Sequence, residues 1–387
     1  MKTIAKILSM VMAICLVACC FTGCGSNYTA DNTEFVIGVS GPLTGGAAVY
    51  GVAVQNSAQM AVDEINAAGG LNGVKFKLMA TDDMHDASKV AANYANMLES
   101  GMQVSLGTVT TAPGLEYTKL SNEDNVFFLT PSASGDKIPE FENGFQMCFA
   151  DGNQGKVAAD YVNSTGLKKI GVFYKSDDAY SNGIFKQFKE NLDKSIETVE
   201  AVFTDANATD FSSQITTLKE CSFIFMPIYY GPASVFLTQA KDIIAKDAIY
   251  YGCDGFDGLA GQFEDFSVIP QEVSMLSHFD SNAKEGAAAD FIKKYTDKFG
   301  TETLNQFGAS AYDCVYAIFN AMKAAIDAGE KIDVTISASD LCDILKEQFT
   351  GDFTYSGVTG NDISWEDNGY VAKEAVKYTL KTANSAK

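Results

Sequence analysis

The chain has 387 residues and a formal net charge of −21, from 49 acidic residues set against 28 basic ones. Every basic residue is a lysine and the only histidines are His85 and His278, so a basic, arginine-forked surface for nucleic acid is excluded. The length exceeds what one ordinary core supports, which predicts two lobes.

The first residues, MKTIAK, are a short basic segment, and ILSMVMAICLVACCF is an apolar run too short for a comfortable membrane span. Together they predict a secretory signal over residues 1–24. Two lipobox readings exist, Leu16-Val17-Ala18-Cys19 and Phe21-Thr22-Gly23-Cys24. The second is preferred because Gly25-Ser26-Asn27 follows it as the start of a tether, with Cys19 the alternative. A lipidated Cys24 anchors a protein to a membrane surface without spanning it. Residues 25–33 are small and polar and read as that tether.

The segment Phe35 to Gly73 then reads as strand, glycine-rich loop and helix. Phe35, Ile37 and Val39 alternate, the loop carries Gly41, Gly45, Gly46 and Gly51 together with Tyr50, and Ala58, Ala61, Val62 and Ile65 share one helix face. Strands are predicted over 74–83, 104–107 and 126–129, with helices over 87–100 and 114–123. After Asp151 the alternation restarts, with helices over 154–165, 182–195, 211–219 and 231–245. Its strands lie over 168–175, 197–203, 222–228 and 248–255. A crossing strand over 271–279 leads to helices over 284–299, 307–328 and 337–347, and residues 354–375 read as a hairpin-like tail. Repeated β-α units of this length predict an α/β chain of two doubly wound parallel-sheet lobes. Lobe 1 is expected to hold 34–150 and 279–353, and lobe 2 to hold 151–278 and 354–387.

Chemistry-bearing residues cluster where the strands end. Thr108, Thr110 and Thr111 follow one strand, and Ser132 and Ser134 another. In a parallel sheet both ends face one crevice. There, hydroxyls, backbone N–H groups and the positive end of a helix can hold a carboxylate without arginine. Asp151, at the first lobe crossing, and Asp254, after YYGC, can hold an ammonium from the other side. Taken singly, such a threonine is more often a helix cap and an Asp-Gly more often a turn; the joint placement carries the argument. Catalysis finds no support, since G-x-S-x-G, H-E-x-x-H and G-x-x-x-x-G-K-[ST] are all absent. Beyond the signal and lipobox, Cys148, Cys221, Cys253, Cys314 and Cys342 are scattered without C-x-x-C spacing. They read as buried thiols rather than a zinc site, and no cofactor or metal is expected.

From about residue 34 to about residue 372 the pattern resembles the branched-chain amino-acid binding proteins of ABC importers, with the type I periplasmic binding fold. The resemblance implies a hinge of three crossings near residues 150, 279 and 353. It implies that Leu106-Gly107-Thr108-Val109-Thr110-Thr111 is the carboxylate loop, with Thr111 the first hydroxyl, and that Thr130-Pro131-Ser132-Ala133-Ser134 is the family's T-P-x-A-[ST] segment. Ser134 would touch both carboxylate and ammonium, the Ser132 carbonyl would face the ammonium, and Ala133 would line the pocket. Asp151 in FADGNQG matches the acidic residue before Q-G, and Asp254 in GCDG matches the ammonium partner, where many members carry glutamate. Tyr50, Val109, Thr110, Tyr180, Tyr229, Gly255 and Phe307 would form the side-chain pocket. The three tyrosine hydroxyls would make it less apolar than an alkyl group requires. In Gram-negative relatives a disulfide links two positions that here are His85 and Thr110. The implied protein is a monomeric, lipid-anchored binder of an aliphatic or aromatic amino acid on a Gram-positive cell surface, at the outer face of the cytoplasmic membrane. Its partners would be ABC permease subunits. An extracellular sensor of the same fold, or a binder of an amide, urea or small carboxylate, are the alternatives.

Overall fold

The computed structural model describes residues 32–382. The expected signal, both lipobox cysteines and residues 25–31 of the tether lie outside the described residues. No helix among the described residues is long and apolar enough to cross a membrane.

Two sheets carry the chain. In the first, β1 (Phe35–Gly41), β2 (Phe76–Asp82), β3 (Val104–Thr108), β4 (Phe128–Thr130) and β5 (Gly144–Gln146) pair in the order β2-β1-β3-β4-β5, all parallel. In the second, β6 (Lys169–Lys175), β7 (Glu197–Phe203), β8 (Phe223–Met226), β9 (Ile249–Gly252), β10 (Glu272–Ser277) and β11 (Val376–Lys381) pair in the order β11-β10-β9-β8-β6-β7. Only β11 runs antiparallel there, against β10. Each sheet reverses its winding once, between β1 and β3 and between β6 and β8. A crevice opens beyond the carboxyl ends of the strands at such a reversal.

Helix α1 (Ala48–Ala67) leaves the loop after β1. A Cβ at Gly51 would stand 2.2 Å from the carbonyl oxygen of Pro42, so only glycine lets the helix approach its own loop this closely. Helices α2 (Val90–Glu99) and α3 (Thr111–Glu123) complete the first half of lobe 1. Helices α4 (Asp151–Thr165), α5 (Ala179–Asn191), α6 (Ser212–Leu218) and α7 (Tyr230–Ala240) flank the second sheet. After β10 the chain returns to lobe 1 as α8 (Gly286–Phe299), α9 (Gln306–Ala328) and α10 (Ala338–Thr350), with α9 packed along α1. In that core Phe127 stacks on Phe145 at 5.2 Å and Phe349 leans on both rings. Burying one such ring is worth roughly 1.5–3 kcal/mol.

Three helices start three residues earlier than the sequence pattern indicates, and each shift moves a site residue into a first turn. Helix α3 begins at Thr111 rather than near 114, because Pro113 is tolerated in the first turn, where its missing N–H costs nothing. Helix α4 begins at Asp151 rather than 154. Helix α5 begins at Ala179 rather than 182, with the Asp178 carboxylate accepting from Ser181 N–H at 2.9 Å.

The expected boundary at 353 is corrected by the contacts of the tail. Residues 355–371 form the isolated bridges Tyr355–Ile363 and Trp365–Val371 and are bonded to lobe 1 through Asp313, Gln146 and Asp136. Trp365 Nε1 donates to the Gln146 carbonyl at 2.7 Å, and Gln146 N–H donates to the Gly369 carbonyl at 3.0 Å. Asp313 of α9 accepts from Tyr355 OH (2.9 Å), Val358 N–H (2.8 Å), Thr359 N–H (2.7 Å) and Thr359 OH (2.6 Å). The chain rejoins the second sheet only at β11, so the third crossing lies between Val371 and Val376. All five cysteines among the described residues are buried and unpaired.

Candidate ligand-binding site

The two crevices face each other across a nearly closed cleft that leaves a cavity of only about 10 Å³. That is room for about one water-sized sphere, so the lobes must part to admit a ligand. Eleven of the residues singled out from the sequence line the cavity: Tyr50, Val109, Thr110, Thr111, Ser132, Ser134, Tyr180, Tyr229, Asp254, Gly255 and Phe307. Each sits just past a strand end or in the first turns of a helix, which is why one pass of short loops brings them together. A larger groove of about 410 Å³ lies at the hinge beside Lys373 and Lys377. There Lys373 donates to the Met147 carbonyl and to Thr359, and Lys377 to Glu272, so its cations are already partnered.

On the first lobe, Thr111 opens α3, and no side chain caps that helix. A first helical turn presents unsatisfied N–H groups and the positive end of the macrodipole. The Thr111 hydroxyl is buried without a hydrogen-bond partner, as is that of Thr108 behind it. The serine loop beside it is fixed from within. Thr130 OH donates to the Thr108 carbonyl at 2.7 Å and accepts from Ala133 N–H at 3.0 Å, and Ser132 OH donates to the Val109 carbonyl. The wall thus offers donors with nothing to meet.

On the second lobe lie two fully buried carboxylates, Asp151 and Asp254. Asp254 Oδ1 accepts from Tyr180 OH at 2.6 Å, and its backbone N–H donates to Gln154 Oε1 at 2.9 Å. Burial pushes the Asp254 carboxyl up to about 6, and the Tyr180 hydrogen bond keeps it from rising further. Asp151 rises well above the carboxylate range, first through burial and then through the charge of Asp254. Its Oδ2 has no hydrogen-bond partner. Two carboxylates held dry without a cation are costly unless one arrives.

The aromatic wall is more apolar than its hydroxyls suggest. Tyr50 OH donates across the cleft to the Gly255 carbonyl at 2.6 Å, and Tyr180 OH is engaged by Asp254 and by Gly255 N–H. Both phenols are therefore tied into the wall, which corrects the expectation that they make the pocket polar. Tyr180 stacks on Tyr229 at 4.6 Å, and Tyr50 meets Phe307 edge-on at 4.8 Å. Of the three tyrosines, only Tyr229 keeps a buried, unpartnered hydroxyl.

Two singled-out residues are not on the cavity wall. Ala133 packs with Tyr117 and Ile138 in the core of lobe 1. Asp151 sits behind the wall, where its N–H donates to the Ser134 carbonyl at 2.7 Å and its Oδ2 lies 3.5 Å from where a Gly183 Cβ would stand. Three residues that shape the site are not evident from the sequence. Gln154 Nε2 donates to Asp151 Oδ1 at 3.5 Å while its Oε1 accepts from the Asp254 backbone N–H, and its place one turn after Asp151 becomes readable once α4 starts at 151. Tyr230 abuts Tyr50 edge-on at 5.0 Å. His85 is hydrogen-bonded to Thr110, Nδ1 to Oγ1 at 2.9 Å, which joins the two positions expected to have lost a staple.

The sequence model of one family, described as periplasmic binding protein, matches residues 34–373. A Leu/Ile/Val-binding protein homolog of Brucella melitensis is 28% identical over 362 residues, covering 89% of this chain and 95% of its own length. The substrate-binding protein LivJ of Streptococcus pneumoniae, solved with isoleucine, superposes with a TM-score of 0.78 at 26% identity, covering 91% of this chain and 97% of that one. A Rhodopseudomonas palustris solute-binding protein, solved with 3,4-dihydroxybenzoic acid, shares the fold with a TM-score of 0.77 at 18% identity, covering 90% and 94%.

Proposed function

The chain belongs to the periplasmic binding protein family, and from that premise we propose that it is the solute-binding component of an ABC importer, taking an aliphatic or aromatic, branched-chain-like L-amino acid. One observation carries the reading. The unpaired Thr111 hydroxyl and the uncapped head of α3 face a pair of buried, cation-less carboxylates across the cleft between the lobes. An α-amino-acid zwitterion supplies the missing anion on one side and the missing cation on the other. The rings of Tyr50, Tyr180, Tyr229 and Phe307 would then enclose an apolar side chain. Thr111 and Ser134 hold its carboxylate, the Ser132 carbonyl faces its ammonium, and Asp254, backed by Asp151 and Gln154, pairs with that ammonium. Closing the lobes over the ligand prepares a face for the permease. The protein is a monomer held at the outer surface of the cytoplasmic membrane through Cys24 or, alternatively, Cys19.

A second reading has one observation in its favour, the shared fold with the binder of a dihydroxybenzoic acid. An aromatic acid has no ammonium and would leave Asp151 and Asp254 buried beside another anion. That is why the zwitterion is preferred.

The test is a thermal-shift panel on the refolded mature protein, with the twenty amino acids, benzoates, amides, urea and sugars. A ligand at a hundred times its Kd adds about 2.7 kcal/mol. Stabilisation by leucine, isoleucine, valine or phenylalanine is the expected result. Stabilisation by benzoates alone would replace this reading with the second.

A further inference from the structure

His85 is half-buried at the mouth of the cleft, in the loop between β2 and α2. Its backbone is left-handed, φ 61°, and follows Met84 at φ 54°. For residues other than glycine this costs on the order of 1 kcal/mol each and persists only where surroundings enforce it. The Asp83 carboxylate enforces it here by accepting from His85 N–H at 2.9 Å. Thus held, the imidazole touches both lobes. On its own side, Nδ1 is 2.9 Å from Thr110 Oγ1, the residue immediately before α3. Across the cleft, its ring meets Tyr229 edge-on, centroids 5.2 Å apart.

We propose that His85 is a positioning residue for ligand capture: it orients the Thr110 hydroxyl at the head of α3 and seals against Tyr229, so that the anion-binding loop is set as the lobes close. This rests on the amino-acid reading of the cleft. When Nδ1 carries the proton it donates to Thr110 Oγ1, and the Thr110 hydroxyl proton is left for a ligand oxygen. The same ring stops Tyr229 from swinging out, and so closes the aromatic wall from outside.

The position also makes capture sensitive to acid. Burial holds the imidazole below its ordinary range; Asp178 and Asp205 of lobe 2 and Asp86 of its own loop pull the other way, and Lys175 adds to the burial. Asp83 completes the charged groups around it. Opening the cleft rehydrates the ring and returns it toward its ordinary value of about 6.5. Closing therefore expels a proton from His85, and acid below that value favours the open form.

The experiment titrates L-leucine, L-isoleucine, L-valine and L-phenylalanine calorimetrically into wild type, H85A and H85Q at pH 7.5 and 5.5. In parallel, NMR follows the imidazole of His85 with and without the bound amino acid. H85A is expected to bind about tenfold more weakly at pH 7.5, the worth of one good hydrogen bond. H85Q, which can still bond Thr110 but cannot ionise, should recover most of that loss and lose less affinity than wild type between the two pH values. The His85 titration should move to lower pH on loading. If wild type binds while H85A matches it within about twofold and the NMR titration does not move, the proposal is overturned. If wild type takes none of the four, the amino-acid reading fails first, and this inference with it.

Discussion

Replacing Asp254 with asparagine should do two opposite things at once. In the empty cleft the Asp254 carboxyl is fully buried and sits at about 6 instead of 3.8. That gap corresponds to about 3 kcal/mol between the two protonation states. The folded value lies above the unfolded one, so the empty fold binds the proton more tightly. The penalty is absent below the unfolded value, builds as pH rises through the window from 3.8 to about 6, and is complete above it. At pH 7.5 the isosteric, uncharged Asp254→Asn removes it. Its amide oxygen can still accept from Tyr180 OH, now 2.6 Å from Oδ1. The empty protein should therefore melt higher, with about 3 kcal/mol as the ceiling because opening the cleft rehydrates the carboxylate. Amino-acid affinity should fall by about two to three orders of magnitude, the cost of removing one partner of a buried ion pair. Differential scanning calorimetry reads the first effect and isothermal titration the second, both at pH 7.5. A variant that binds within about tenfold of wild type would remove Asp254 from the ammonium site. One that melts several degrees lower would show that the carboxylate is structural.

Binding should also release protons. Asp151 and Asp254 both lie above the carboxylate range in the empty cleft, and an arriving ammonium pulls both down, so between about pH 5 and 7 the ligand displaces protons. Titration in buffers of different ionisation enthalpy should show a net release; uptake would contradict the site. Asp313→Ala removes the acceptor of four hydrogen bonds that pin residues 355–359 of the tail to α9, and should cost about 3 kcal/mol or more of stability. A melting temperature within a degree of wild type would dismiss that anchor. Gly51→Ala drives a methyl group to 2.2 Å from the Pro42 carbonyl, and about 3 kcal/mol of destabilisation or loss of soluble protein is expected; a stable variant would mean that the β1–α1 loop yields freely.

The sequence already contains most of this site because parallel sheets simplify it. Most cavity-lining residues follow a strand end within a few positions, with Tyr50 and Phe307 brought in by first helical turns, and the sheet order turns those ends toward one crevice, so locating the strands nearly locates the pocket. Ala133 escaped that logic because alternate residues of a loop face opposite ways, and the loop's internal hydrogen bonds at Thr130 decide which way. Gln154 and His85 escaped because their importance is geometric, one joining the Asp151 carboxylate to the Asp254 backbone and the other reaching the facing lobe. The remaining gaps are tertiary. Strand β5 is three residues, Gly144–Gln146, too short for any alternation to register. Strand β11, VKYTLK, alternates weakly and is half-exposed at a sheet edge. Neither declares itself until the neighbouring strand is in place. The course of the tail on lobe 1 ahead of the third crossing is set by Asp313 and Gln146, far from the tail in sequence, which no local pattern of residues 354–375 encodes.

The Tyr50 hydroxyl bonded to the Gly255 carbonyl has a consequence for how the protein reports occupancy. It is a lobe-to-lobe contact that needs no ligand, at 2.6 Å and with the ring packed against Tyr230 at 5.0 Å. Shutting the empty cleft is therefore rewarded by Tyr50 and penalised by the uncompensated charge of Asp254 and Asp151. The balance between these sets how many vacant molecules imitate loaded ones. A vacant mimic occupies a permease without delivering cargo, so it acts as a competitive inhibitor of the system it serves. Trimming the reward at position 50 lowers that background at the expense of affinity, and softening the penalty at position 254 raises it. The fidelity of uptake is thus a ratio written at two side chains, one on each lobe.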